Sequence, residues 1–408
     1  MSVGSGLFSQ FGIEIEYAVV GHESLDVRPV VDLLFERQTG AFTDVASAPI
    51  VWSHELVNHV LEMKVSEPVR DLVGVDAAFQ RSVQEANLAL GALDCRLLPT
   101  GMHPWMNPET ETTLWRHEDS EIYQAYDRLF NCRRHGWANL QSVHLNLPFA
   151  TDEEFRRLHS AIRLLLPLLP ALSASSPFVN GRKAAGLDMR MMVYAANSSS
   201  IPSVAGLVVP ELIVAQKQYE REILGRIYDD IRLLDSEGLL ADDWMNARGA
   251  IARFDRKTIE IRVLDTQECP RMDLGILAFV VAVLKRFVEG SISSLERQEL
   301  PTTPALAEIF RQVLLSGLGA IISDEATLRA MGCDSGNPRS VRQIWRDFLS
   351  AIPTQERLHW NDIPELILSE GNLAERILRS AGPNPKRGTL QTLYRDLADC
   401  LAEGRHFC

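Results

Sequence analysis

The sequence has no CxxC pair, no glycine-rich loop followed by Lys-Ser or Lys-Thr, and no apolar run of the roughly 18 residues that a membrane span needs. Its six cysteines (Cys95, Cys132, Cys269, Cys333, Cys400 and Cys408) are scattered over 408 residues. That scatter excludes a disulfide frame or a zinc ribbon and reads as reduced thiols in a cytoplasmic protein. The longest apolar stretch, Ile276 to Leu284, stops at Lys285 and Arg286, so no membrane partner is expected. Met1 to Gln10 lack a basic region followed by an apolar one, and no secretion signal is expected. Gly4-Ser5-Gly6 has neither the preceding strand nor the following lysine of a phosphate loop. Positive charge is in deficit: 41 Lys and Arg against 54 Asp and Glu leave a net charge of -13. Such a chain is a poor general binder of nucleic acid, although it can hold a nucleotide if cations bridge the charges.

The hydrophobic fraction, 46%, is ample for a large core. Up to about residue 270, short alternating strands are mixed with helical patterns. The expected strands are Gly12 to Val20, Asn58 to Ser66, Cys95 to Thr100, Ser142 to Pro148 and Thr258 to Leu264. The expected helices between them are Ala77 to Leu93, Asp119 to Cys132 and Asp152 to Leu172. Thr151 caps the last of these, and Pro167 and Pro170 interrupt its end. From Arg271 on the pattern becomes helical, with a loop over Ala381 to Gly388. We therefore divide the chain into an α+β core over 1–290 and a helical carboxy-terminal region over 291–408.

Four of the strands share a feature. Residues i and i+2 of a strand face the same side. In Ile13-Glu14-Ile15-Glu16-Tyr17 the apolar residues take one face, and Glu14 and Glu16 take the other. The same phase sets Glu62 with Lys64, His144 with Asn146, and Glu260 with Arg262. A solvated strand face normally mixes Thr, Ser, Lys and Gln. Here carboxylates recur. Two like charges about 4 Å apart repel by about 4 kcal/mol at an effective dielectric near 20. Magnesium or manganese, with hard oxygen ligands, would offset that repulsion. Arg262, Lys64 and Arg253 would then meet anionic phosphates.

Other motifs lead elsewhere. His54-Glu55 and His59 miss the zinc-protease spacing, because the histidines lie five apart and lead into a strand. His103, before Pro104, reads as a turn histidine. No nucleophile–base pair stands out.

At the polar strands the chain resembles the glutamate–cysteine ligase family, in its bacterial carboxylate–amine ligase branch. Gly12-Ile13-Glu14-Ile15-Glu16 looks like the opening G-x-E-x-E strand. Gly101-Met102-His103-Pro104, Ser142-Val143-His144-Leu145-Asn146 and Ile259-Glu260-Ile261-Arg262 resemble later motifs in order. Leu172 to Phe178, with Gly181, Gly186 and Arg190, is similar to the family's long loop, and Gly371 to Arg376 to its late helix start. The family's tyrosine-serine-arginine is Leu187-Asp188-Met189-Arg190 here, which leaves the substrate open.

The resemblance implies an α+β fold with a glutamine synthetase-like curved antiparallel sheet and helices on its convex side. It implies ATP with Mg2+ or Mn2+, a glutamate-like carboxylate and an amine as substrates, an acyl-phosphate intermediate, and a homo-oligomer, most simply a dimer. Carried over by motif, Glu14, Glu16, Glu62, His144 and Glu260 would ligate metal. Arg262, with Glu260, would act on the transferred phosphoryl group. Lys64, Asn146, Arg253 and Arg190 would contact nucleotide or substrate. The alternatives are a phosphotransferase of the same superfamily and a non-catalytic nucleotide-binding protein.

Overall fold

The computed structural model describes residues 6–235 and 238–408. Met1 to Ser5, half of the stretch read for a secretion signal and most of Gly4-Ser5-Gly6, lie outside the described residues. An eight-stranded antiparallel sheet organises the chain. In chain order its strands are β1 (Gly12–Gly21), β2 (Val45–Ser47), β3 (Ile50–His54), β4 (Val60–Val65), β5 (Cys95–Leu98) and β6 (Ser142–Pro148). A small separate hairpin follows, β7 (Phe178–Val179) with β8 (Arg182–Lys183), and then β9 (Ala250–Arg253) and β10 (Thr258–Asp265) complete the sheet. The spatial order is β2-β3-β4-β1-β6-β10-β9. The ten-residue β1 pairs with β4 and β6 along its first half and with β5 along its second. The fold is α+β, a curved antiparallel sheet with helices on its convex side.

The alternation read from the sequence explains why one face is covered. Ile13, Ile15, Met63, Leu145, Ile259 and Ile261 point into the core and are fully buried. Above them lie the Val75–Gly91, Asp152–Leu165 and Pro270–Val288 helices. Emptying one such position typically costs about 2–5 kcal/mol. The helices between Thr303 and Glu370 join the same apolar core, where Trp345 packs on Phe279, ring centroids 5.1 Å apart, and donates from Nε1 to the Leu168 carbonyl at 3.2 Å. The Leu373–Ala381 and Arg387–Glu403 helices instead pack in a second apolar cluster with Val20, Leu98 and Trp105. Among the described residues no helix is long and apolar enough to cross a membrane, and all six cysteines are free.

The helical expectation over Asp152 to Leu172 resolves into three pieces. An α-helix runs to Leu165, a 3-10 turn covers Leu166–Leu168, and a short helix covers Pro170–Ser173. The prolines break it because each lacks the N–H that the helix would use. Thr151 Oγ1 accepts from the Glu154 amide at 3.2 Å, as its capping position required. The sequence reading missed β2, β3 and β9 of the sheet, the β7–β8 hairpin, and the paired two-residue strands Ile321–Ile322 and Arg339–Ser340 inside the region read as helical. Each is short, and β3 (Ile-Val-Trp-Ser-His) barely alternates.

Three histidines are buried in this scaffold. Burial, with the Arg163 charge, pushes His159 down to about 3; burial pushes His59 and His103 down to about 4. Each is neutral when folded, and the unfolded chain takes up a proton near pH 6.5 that the folded one refuses. Their contribution to stability is complete above pH 6.5 and is lost as pH falls toward 4, by about 1.4 kcal/mol per pH unit for each group. Denaturant melts between pH 7 and 4.5 should show this slope, and His159→Leu should flatten it by about one proton. Parallel profiles for the two proteins would refute the assignment.

Candidate functional site

The face opposite the core carries the polar strand residues. Register brings them together. Glu14 sits between Lys64 of β4 and His144 of β6, and Glu16 lies opposite Glu62. Asn146 lies between Gly12 and Glu260, and Ser53 of β3 lies opposite Glu62. A bulge in β10 places Arg262 and Val263 against the single residue His144, because Ile261 pairs with Leu145 and Leu264 with Val143. Bulges commonly re-aim a side chain beside a site. This one keeps Arg262 near His144 and Glu260.

Two groups of possible ligand atoms result. One oxygen or nitrogen from each of Glu14, Glu62 and His144 lies within 4.8 Å of the others, and the same holds for Glu16, Glu55 and Glu62. Glu62 belongs to both. The donors are carboxylate oxygens and one imidazole, a set that suits Mg2+ or Mn2+. The fold also offsets part of the repulsion itself. Ser53 Oγ donates to Glu62 at 2.6 Å and Lys64 Nζ at 3.1 Å. The Ser142 amide and hydroxyl donate to Glu16 at 2.7 and 2.9 Å. His144 Nδ1 reaches Glu14 at 3.0 Å, and Asn146 Nδ2 donates to Glu14 at 3.4 Å.

The electrostatics follow from this crowding. Burial raises the Glu16 carboxyl, against the His144 charge, and Glu62 raises it further. Glu55 is raised well above the usual range by burial and by the charges of Glu16 and Glu62. Burial opposes a charge on His144, but the hydrogen bond to Glu14 and the charges of Glu16 and Glu260 outweigh it and hold the imidazole up to about 9. Glu260 behaves oppositely. Burial works against its charge, yet Arg262, His144 and Arg253 hold it down to about 2. Arg262 Nη2 donates to Glu260, and Arg253 Nη1 lies 3.8 Å from it. Arg253 also pairs with Asp243 at 3.0 Å. Burial would lower Lys64, but Glu62 and Asp44 hold it above its ordinary value.

Arg190 is placed differently from the other implied contacts. It is buried, and its guanidinium donates to Asp265 and to the Arg262 carbonyl. Asp265 also accepts from the Ser175 amide at 2.9 Å and the Ser176 hydroxyl at 2.8 Å. Gly101 closes this knot, since a Cβ there would sit 2.3 Å from the Asp265 carboxyl carbon. The loop residues matched by motif thus support the end of β10, and Arg190 also borders the open space beside Glu16 and Arg262. His103, from the same turn, is buried and bonds the Leu25 carbonyl at 2.7 Å. His59 bonds the Ala138 carbonyl at 2.8 Å, and His54 stacks on Trp115 at 4.5 Å.

Sequence reasoning missed Glu55 as a partner of Glu16 and Glu62. It follows β3 in irregular chain, where no alternation marks which side it faces. The only signal was its position beside a strand whose neighbours carry glutamates. It also missed a cavity of about 480 Å³ that opens beside Glu16, Glu55, Ser142 and Arg262 and is walled by aromatic rings.

A family model described as glutamate–cysteine ligase family 2 matches residues 10–396. An "uncharacterized protein" of Archaeoglobus fulgidus is 33% identical over 392 residues, covering 96% of this chain and 98% of its own. The crystal structure of a glutamate–cysteine ligase from Francisella tularensis, in complex with AMP, matches with a TM-score of 0.63 at 12% identity. That match covers 96% of this chain and 89% of the other. A bifunctional glutathione synthetase from Pasteurella multocida matches at 0.58 and 12% identity, over 97% of this chain and 53% of its own. These two likenesses show a shared fold.

A proton on His144 must leave before its imidazole can ligate a metal. Since the acids around it hold that proton up to about 9, Mn2+ affinity should rise with pH between 6 and 8, by up to about tenfold per unit. Calorimetry in buffers of different ionisation enthalpy would read the released proton. His144→Asn should flatten the dependence, and a flat wild-type profile would remove His144 from the ligand set.

Proposed function

Because the chain belongs to glutamate–cysteine ligase family 2, we propose that it is an ATP-dependent carboxylate–amine ligase working through an acyl-phosphate. The observation that carries this reading is Glu62 shared between two ligand groups, on the sheet face that also bears Arg262 and Arg253. Phosphoryl transfer needs positioning and charge neutralisation more than covalent help, and this face offers both. The AMP in the Francisella tularensis structure supports the nucleotide part of the reading.

In this reading Glu14, Glu62 and His144 would hold one divalent ion and Glu16, Glu55 and Glu62 another; Glu260, paired with Arg262 and outside both groups, would add to the first as a further ligand. When bound, these ions supply charge neutralisation for the phosphates. Lys64, Asn146 and Arg253 face the nucleotide. A glutamate-like carboxylate oxygen attacks the γ-phosphorus, the bond to the β-phosphate oxygen breaks, and ADP leaves. Arg262, steadied by Glu260 and through its carbonyl by Arg190, takes up charge on the phosphoryl group. The amine nitrogen then bonds the acyl carbon while the carbon–oxygen bond to phosphate breaks. Of the two protons lost by the ammonium, one leaves on hydrogenphosphate and one goes to solvent. Residues 1–290 hold every side chain used, and 291–408 brace them. The reading includes a homodimer in the cytoplasm, with no nucleic acid partner. Light scattering at micromolar concentration that returns the mass of one chain would overturn the dimer.

The Arg262–Glu260 pair shapes the test. Arg262→Ala would strand a buried carboxylate, at a stability cost of about 3–5 kcal/mol. Arg262→Lys keeps the charge and loses the fork. Arg262→Lys and Glu260→Gln should each lower amide formation by about a hundred- to thousandfold, or roughly 3 to 4 kcal/mol. Melting temperature should change little for Arg262→Lys and fall for Glu260→Gln, which leaves the Arg262 charge unpaired. A panel of acids and amines with ATP and Mg2+, read by mass spectrometry, would supply the assay. ADP formation that does not depend on amine would favour the phosphotransferase. Wild-type turnover in both variants would end the ligase reading.

A further inference from the structure

The cavity beside Glu16 and Glu55 lies at one end of the polar face. Register puts Ser142, Glu16 and Glu62 at that end, and Asn146, Glu260 and Arg253 at the other. The second end is left to the nucleotide. The cavity's outer wall comes from the Ser120–Phe130 helix and the residue before it, where Asp119, Ile122, Tyr123 and Tyr126 recur at i, i+3, i+4 and i+7 and so share one face. Trp137 and Trp244 continue the wall, with ring centroids 5.3 and 5.4 Å from Tyr126. All four rings are only half-buried, so apolar surface borders the open space.

The charges in the cavity have one sign left over. Arg262 is held by Glu260, Arg190 by Asp265, and His144 by Glu14. Among the described residues no lysine or arginine pairs with Glu55, and Asp119 has only His54, at 3.8 Å. Two divalent ions on the two ligand groups would bring four positive charges to the four carboxylates of Glu14, Glu16, Glu55 and Glu62, and Asp119, with no lysine or arginine partner among the described residues, would remain as the cavity's acid.

We infer that this cavity receives the amine substrate as an ammonium on an aryl or branched-alkyl body that carries no carboxylate of its own. An ammonium is attracted by Asp119 and by the faces of Tyr and Trp rings, while its body covers their exposed apolar surface. A free amino acid such as cysteine would bring a carboxylate toward Asp119 and leave the rings uncovered. That the ammonium is a substrate rests on the ligase reading; that it binds here does not.

Calorimetry with phenethylammonium and 3-phenylpropionate, in the presence of Mg2+, compares one body under opposite charges. The ammonium should bind at least tenfold more tightly. Trp244→Leu, Tyr126→Leu and Glu55→Gln should each weaken it about tenfold, while Tyr126→Phe, which keeps the ring, should retain it. Melting temperatures would show that the variants fold. In a second arm, ATP, Mg2+ and a panel of acids including L-glutamate are offered phenethylamine, isoamylamine, L-cysteine or hydroxylamine. Amide should form from the apolar amines with kcat/KM at least tenfold above cysteine. Preference for cysteine, equal binding of the carboxylate, or no ammonium binding overturns the inference, and hydroxamate or cysteinyl amide in those cases leaves the ligase reading standing. Ammonium binding without product from any amine overturns the ligase reading and keeps the cavity's ligand class.

Discussion

Four glutamates gathered on one side of a sheet set the terms for the rest of this molecule. Glu62 holds carboxylate oxygens within 4.8 Å of Glu14 in one group and of Glu16 and Glu55 in the other, where neighbouring charges repel. Ser53, Ser142, Lys64 and His144 lie where they can offset part of that repulsion. The remainder is carried by the opposite face of the same strands. Ile13, Ile15, Met63, Leu145 and Ile261 are sealed beneath three helices, and their burial fixes the register that brings the acids together. A one-residue slip would turn the glutamates into the core, so one alternation specifies both the site and the core.

Support of the reactive strand is a second layer of the same design. Arg262 can oppose Glu260 only if β10 stays where its bulge sets it. At its end Asp265 gathers Arg190, Ser175 and Ser176, and Gly101 lets that carboxylate approach the turn closely. Further along, Glu268 pairs with Arg376, which also bonds the Phe407 carbonyl. The Leu373–Ala381 helix is set by a reciprocal cap between Asn372 and Glu375. The late carboxy-terminal residues are thereby tied to the end of the strand that bears Glu260. A buried pair of this kind contributes position more than net stability, since desolvation offsets much of its attraction.

The sequence by itself determined the strand phases, the α+β class and the identity of the polar face. Period-two alternation in Ile13 to Tyr17, Leu61 to Val65, Val143 to Leu147 and Ile259 to Val263 is a local property, legible because one face of each strand must be apolar. The motifs around Gly101, Ser175 and Arg190 were equally visible, but their work was not. Whether a buried arginine meets a ligand or an aspartate 75 positions away depends on contacts that no local pattern encodes. Glu55 was hidden for the same reason, because it stands in irregular chain and joins Glu16 and Glu62 only through the pairing of β3 with β4 and β4 with β1. The cavity needed still more. The Ser120–Phe130 helix, Trp137 and Trp244 come from three separate stretches. Their rings meet only when these stretches fold together over the polar face of β1, β6 and β10. Periodicity fixes which way a side chain points; long-range packing decides what it then faces.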